Sequence, residues 1–151
     1  MATGDVDQCE SHAPVLLPHT SGYISNTITG ETSCGSAHAP WQVTAQPGQR
    51  IRLRLIDFTL SSAVTLSGYV RLKSNVCRVY ATVKDGSHAS SICATETRDA
   101  LVYTSESHSL QIAIFSIDAV QITSLRFLIY YEGTLSCLYI NYHAPYFLSV
   151  A

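Results

Sequence analysis

Charged side chains are scarce in this chain of 151 residues, because Asp, Glu, Lys and Arg make up only 13% of it, about half the share of an ordinary globular protein. The formal net charge is −2, so there is no large positive field to hold a phosphate backbone, and we exclude nucleic acid as a partner. Even the most apolar region, residues 110–131, is interrupted by polar and charged residues. We therefore expect no transmembrane segment.

Residues typical of helices are also few. Methionine occurs once, whereas tyrosine occurs nine times, and aromatic residues favour strands. The chain has no internal repeat, no low-complexity tract and no linker, and its length suits one domain with one core. These features indicate a single β-rich domain with a polar, largely uncharged surface.

Alternating apolar residues define the strands. In the clearest strand, Ile51, Leu53 and Leu55 alternate with Arg52 and Arg54, which predicts one buried face and one basic face. Similar patterns, separated by turn residues such as Pro47-Gly48 and Asp85-Gly86, predict an all-β sandwich of about nine short strands. The predicted strands lie near residues 22–25, 41–45, 50–58, 65–72, 78–84, 101–104, 109–115, 124–131 and 137–142.

The predicted domain organisation has three parts. Residues 1–20 form an irregular leader attached to the body by Cys9, and residues 21–134 form the sandwich. Residues 135–151 form an aromatic tail that adds a strand, leads to a neighbouring domain or anchor, or makes an interface.

Cysteine spacing favours disulfides over a metal site. The spacings are wide and lack the short pairs of a zinc site, and disulfides imply an oxidising compartment. The N-terminal segment MATGDVDQ lacks the features of a secretory signal, so an extracellular location requires a signal from outside this sequence. The chain has five cysteines, Cys9, Cys34, Cys77, Cys93 and Cys137. Because this number is odd, at least one of them has no disulfide partner within the chain.

The order and spacing of several motifs resemble the CUB domain family, whose members are disulfide-bonded, jelly-roll-like β-sandwiches of extracellular and membrane-associated proteins. The resemblance covers residues 9–133, most of the chain. Its motifs are Cys9, Gly22-Tyr23-Ile24-Ser25, Ala39-Pro40-Trp41-Gln42-Val43, Gly48-Gln49-Arg50-Ile51-Arg52-Leu53, Asp57-Phe58, Cys77, Asp85-Gly86, Cys93, residues 105–109 and Phe127-Leu128-Ile129-Tyr130-Tyr131-Glu132-Gly133.

One position departs from the family pattern, because Ala39 stands where the family has its second cysteine. With this variant of the pattern we expect Cys9 to pair with Cys34, closing a loop of about 25 residues. The resemblance also implies a pair of Cys77 with Cys93. Cys137 then has no obvious partner; its alternatives are Cys34, a second subunit or a free thiol.

Many CUB domains bind Ca²⁺ through loop carboxylates, which the resemblance would place at Glu31, Asp118 and the position of Val79. Valine cannot ligate calcium, and two of three ligands do not make a site. We expect no metal and no cofactor, with a residual calcium site at Glu31 and Asp118 as the open alternative.

Signals for catalysis are weak. The six histidines show no His-x-His or i, i+4 pairing that would gather imidazoles on one metal. Serine, histidine and aspartate are present without a nucleophile-elbow motif or a phosphate-binding glycine loop. We therefore expect no enzymatic activity.

Two features have both a binding and a structural interpretation. Trp41 matches the core tryptophan of the family, so we expect it in the core rather than exposed for ligand stacking. Arg50, Arg52 and Arg54 share one strand face and are candidate binding residues for acidic sugars or acidic protein segments. The alternative is that they form a solvated outer face.

These observations predict an extracellular, non-catalytic recognition module that binds a protein or glycan through loops at the end of the sandwich, with the arginine-lined strand as a further candidate surface. The alternative is an assembly domain that mediates oligomerisation or attachment through the aromatic tail and Cys137.

Overall fold

The computed structural model describes residue 9 and residues 12–59, 79–115 and 125–135. Nine strands and one helix lie in this part of the chain. The helix has seven residues, far fewer than the roughly 20 needed to cross a bilayer, and no described helix is a candidate membrane span. The elements are β1 (Val15–Leu16), β2 (Ser21–Ser25), α1 (Asn26–Thr32), β3 (Trp41–Thr44), β4 (Gln49–Asp57), β5 (Val79–Asp85), β6 (His88–Cys93), β7 (Asp99–Thr104), β8 (Ser109–Ile114) and β9 (Phe127–Leu135).

The strands form two sheets. One has five strands in the order β1-β3-β8-β5-β6, and the other has four in the order β2-β9-β4-β7. All neighbouring strands are antiparallel except β1 and β3, which are parallel. The predicted all-β, disulfide-bonded sandwich is confirmed.

Buried side chains from both sheets form one core. Ile51, Leu53 and Leu55 of β4 are fully buried, as the alternation predicted. From the five-stranded sheet, Val43 is also fully buried, whereas Trp41 is partly buried and packs against the core. The core therefore joins the inner faces of the two sheets, and the intervening residues of each strand point outward.

Two predicted turns depend on glycine. Gly48 has φ +84°, and beside it the Gln49 N–H donates to the Gln46 carbonyl over 3.0 Å. Gly86 has φ +61° in the hairpin between β5 and β6. These conformations are costly for residues with a Cβ, which is why Pro-Gly and Asp-Gly were useful signals.

Several elements were not predicted. Val15–Leu16, within the expected irregular leader, pair with β3, and β6 pairs with β5. Helix α1 begins after Ser25, whose Oγ accepts from the Thr27 N–H at 3.2 Å, and it ends at Ser33 in the left-handed conformation. The strands expected at 65–72 and 137–142 lie outside the described residues.

The predicted disulfide between Cys9 and Cys34 is present, with their Cα atoms 4.9 Å apart. Ala39, five residues after Cys34, is completely buried. Cys93 is also disulfide-bonded, whereas Cys77 and Cys137 lie outside the described residues. The bridge to Cys34 therefore fixes the start of the described chain to the loop before β3.

Candidate functional site

The outer face of the four-stranded sheet brings arginine and tyrosine side chains together. On β4 the outward residues alternate with the buried Ile51, Leu53 and Leu55. Cross-strand pairing places Arg52 opposite Glu132 and Arg54 opposite Tyr130. We call this surface the tyrosine–arginine face, which consists of Tyr23, Arg50, Arg52, Arg54, Asp99, Tyr130 and Glu132.

Two tyrosines form the aromatic part of this face. Tyr23 and Tyr130 are cross-strand partners on β2 and β9, with ring centroids 5.0 Å apart and planes tilted by 45°. Tyr23 is 64% exposed. The Tyr130 hydroxyl donates to Glu132 Oε2 over 3.2 Å. Desolvation, followed by the charge and hydrogen bond of Glu132, raises the pKa of Tyr130, so this hydroxyl remains a hydrogen-bond donor at neutral pH.

The three arginines are not equivalent. Arg54 pairs with Asp99 at the diagonal position on β7, with Nη2 2.9 Å and Nε 3.0 Å from Asp99 Oδ1. Both side chains are substantially exposed, at 36% and 53%, so this pair adds at most about 1 kcal/mol to stability. Within the described part of the chain, Arg50 and Arg52 form no ion pair.

The charge of the face is nearly balanced. Three arginines lie beside two acids, Asp99 and Glu132, and Glu132 is the cross-strand neighbour of Arg52. A surface of this kind does not create the strong positive field that attracts a polyanion. It offers directional donors, acceptors and aromatic area instead.

The outer face of the five-stranded sheet is chemically different. Gln111 Nε2 donates to Gln42 Oε1 over 3.1 Å, and Gln42 Nε2 donates to Ser109 Oγ over 2.5 Å. Thr44 Oγ1 lies 3.4 Å from the same serine oxygen. These neutral side chains satisfy one another, which makes this face the weaker candidate for binding.

A cavity of about 100 Å³ lies at one end of the sandwich. One wall is polar and comes mainly from α1 and the residues after it, and the other is largely apolar. Thr29 lines the cavity, and its Oγ1 is buried without a hydrogen-bond partner among the described residues. Binding was expected through loops at one end of the sandwich, and residues 60–78 and 116–124 lie outside the described residues. The lining residues are Asn26, Thr29, Gly30, Ser33, Ser36, Val79, Tyr80, Ile114, Phe115, Leu125 and Phe127.

The residues considered for calcium do not form a described site. Glu31 is exposed on α1 and Val79 lines the cavity, whereas Asp118 lies outside the described residues. Within the described ranges, no group of three or more His, Cys, Asp or Glu side chains is placed to hold a metal ion. The expectations for Cys137 and for the aromatic tail after Leu135 also fall on residues that the structure does not describe.

Asp85 has a role that sequence reasoning missed, because it stands in an Asp-Gly pair that indicates a turn. Its side chain is buried, with 6% exposure. Oδ1 accepts from Ser107 Oγ at 2.7 Å, and Oδ2 accepts from the Glu106 N–H at 2.7 Å and the Tyr103 hydroxyl at 3.1 Å. Burial alone would raise the pKa of Asp85, but these hydrogen bonds outweigh it and hold the pKa below 3.8.

Asp85→Asn should lower the free energy of unfolding at pH 7 by about 2 kcal/mol, because a charged acceptor with three donors is lost. The folded-state pKa is lowered, so this stabilisation is present at neutral pH and is lost as the pH falls through the folded-state value, below 3.8. Urea unfolding of both proteins at pH 7 and at pH 3 or below would show the difference shrink. Asp99→Asn, at an exposed pair, is the control and should cost less than about 1 kcal/mol. An equal loss in both variants would contradict the anchoring role of Asp85.

The described fold is an all-β sandwich fixed by a disulfide at its N-terminal side, with a mixed-charge aromatic face on its four-stranded sheet. No protein-family model matches this chain, and no curated protein matches its sequence.

Proposed function

We propose that this chain is a non-catalytic, extracellular recognition module for a protein or glycan partner, and that the tyrosine–arginine face makes the contact. The observation that carries the proposal is the contact of the exposed Tyr23 with the half-buried Tyr130. This pair lies beside Arg50 and Arg52, neither of which forms an ion pair within the described residues. Tyrosine and arginine are the side chains enriched where binding energy is concentrated.

A protein partner fits this surface better than a polyanion does. The near balance of Arg50, Arg52 and Arg54 against Asp99 and Glu132 favours a partner with charges of both signs. The tyrosines provide large contact area at a low cost in conformational entropy. Binding to the face should therefore depend on specific pairs more than on total charge, and should weaken only modestly at high salt.

Contact through side chains is favoured by the position of the strands. β4 lies between β9 and β7, and β9 lies between β2 and β4. The backbone groups of these two central strands are thus used within the sheet, so a partner cannot add a strand at β4 or β9. Contact with these two strands is therefore made through side chains.

The disulfide supports an extracellular setting, because bridges such as Cys9–Cys34 form and persist in oxidising compartments. The hydrogen bonds of Asp85 support a structural role for the one buried carboxylate of the described residues, since its oxygens accept from Tyr103, Glu106 and Ser107. These observations favour recognition over catalysis.

The proposal is tested by presenting the whole chain as a biotinylated tetramer to arrays of extracellular proteins and of glycans, and then comparing variants against each partner found. Tyr23→Ser and Arg52→Ser should each weaken binding at least about tenfold, as central interface residues do. The matched control is Lys84→Ser on the exposed side of β5, which should leave affinity unchanged. Binding that survives both face variants would overturn the assignment of this surface.

The same measurements separate the remaining alternatives. A glycan hit that is lost with Tyr23→Ser would assign the face to sugar binding, and a steep salt dependence would indicate a polyanion. If assembly through the tail and Cys137 is the function instead, non-reducing electrophoresis should show a disulfide-linked dimer that reduction separates.

A further inference from the structure

Two histidines that are distant in sequence meet in the structure. The rings of His12 and His38 are in contact, with centroids 5.2 Å apart and planes at 87°. Both residues are exposed. They are separated by 25 intervening residues and form no local motif, so sequence spacing gave no sign of this pair.

The two segments that carry the histidines are fastened together on both sides of the pair. On one side, the disulfide holds the Cα atoms of Cys9 and Cys34 4.9 Å apart. On the other side, the Val15 N–H donates to the Pro40 carbonyl over 2.8 Å, where β1 begins to pair with β3. The imidazoles are thus held near each other before any ligand arrives.

Each histidine also has a defined local backbone. His38 lies in a turn closed by a 2.7 Å hydrogen bond from the Gly35 N–H to the Ala39 carbonyl. His12 has φ +54°, and the only other described non-glycine residue with positive φ is Ser33, which ends α1. Such conformations are unfavourable for residues with a Cβ and are concentrated at functional positions.

We propose that His12 and His38 together chelate one divalent transition-metal ion of the Zn²⁺ or Cu²⁺ class. Neutral imidazole nitrogen is a preferred ligand for these ions, whereas Ca²⁺ and Mg²⁺ prefer oxygen. No group of three or more protein ligands is placed there among the described residues. The ion therefore keeps coordination positions for water or for a donor from another molecule. This site is independent of the tyrosine–arginine face.

Titration calorimetry of the whole chain with ZnCl₂, and separately with CuCl₂, tests the site in a non-chelating buffer. We expect one ion per chain, and about a tenfold or greater loss of affinity in each of His12→Ala and His38→Ala. Because a chelate needs both rings, the double variant should bind no more weakly than the weaker single variant. His88→Ala, an exposed histidine on β6, is the matched control and should bind as the unsubstituted chain does.

CaCl₂ provides the chemical control and should give no heat that depends on His12 or His38. Thermal unfolding without metal shows whether each variant is folded. Zn²⁺ should raise the melting temperature of the unsubstituted chain and of His88→Ala, but not that of His12→Ala, His38→Ala or the double variant. Unchanged affinity in both single variants, or losses that add as for two separate sites, would overturn the proposal.

Discussion

Gly35→Ala should lower the free energy of unfolding by about 3 kcal/mol or more, the sum of a backbone term and an overpacking term. Gly35 has φ +81°, a conformation that disfavours any Cβ. A methyl group built on Gly35 would overlap Nε1, Cδ1 and Cε2 of the Trp41 ring. The glycine is therefore required both by its own backbone and by the indole that lies against it.

Neither partner can move away easily. The Gly35 carbonyl accepts from the Ile114 N–H over 2.7 Å, and the Gly35 N–H donates to the Ala39 carbonyl. Trp41 packs against the core, and its Nε1 is buried without a partner within the described residues. Relief of the overlap would have to break a hydrogen bond or open the packing beneath the indole.

The matched control is Gly48→Ala. Gly48 has nearly the same φ, +84°, but a methyl group there would meet nothing within 4 Å, so the variant should show only the backbone term of about 1–2 kcal/mol. Guanidinium unfolding followed by the fluorescence of the single tryptophan measures both variants. Equal losses at the two positions would show that Trp41 is not constrained by Gly35.

The second large effect is expected from the disulfide. Replacing Cys9 and Cys34 together with serine should lower the free energy of unfolding by about 3 kcal/mol, because the bridge closes a loop across a separation of 25 residues. Denaturant unfolding under non-reducing conditions measures this loss without affecting the disulfide of Cys93. Ala37→Ser, an exposed change between Cys34 and β3, is the control and should be neutral within about 0.5 kcal/mol. Unchanged stability in the double variant would show that the β1–β3 pairing alone fixes the segment.

The strands with strict alternation were predictable from the sequence. Ile51, Leu53 and Leu55 of β4 point to one side at every second residue, and burial of that side determines the register. The turns at Gly48 and Gly86 were predictable for a similar local reason, since both need positive φ. In each case the physical cause lies within a few residues of chain.

Elements stabilised by distant contacts could not be predicted in this way. The β-branched threonines and the glycine of α1 are poor helix formers, but its first residue, Asn26, is held by the 2.9 Å bond of its amide to the Leu125 carbonyl. β6 lacks clean alternation and is fixed by pairing with β5.

The candidate sites show the same limit. The basic outer face of β4 was visible as a row of arginines, but its charge balance depends on Asp99 and Glu132, which other strands supply. The contact of His12 with His38 depends on the disulfide and on the β1–β3 pairing. Sequence spacing reports only neighbours along the chain, so it could not reveal these pairs.

The central position of β4 and β9 also bears on how this protein can change over evolution. Side chains that point outward from central strands take no part in the ladder of hydrogen bonds or in the core. Positions such as Arg50, Arg52 and Tyr130 can therefore accept new residues at little cost to folding, whereas Leu53 and Ile129 beside them cannot. The surface proposed for binding is thus free to diverge between descendants of the chain while the sandwich itself is conserved.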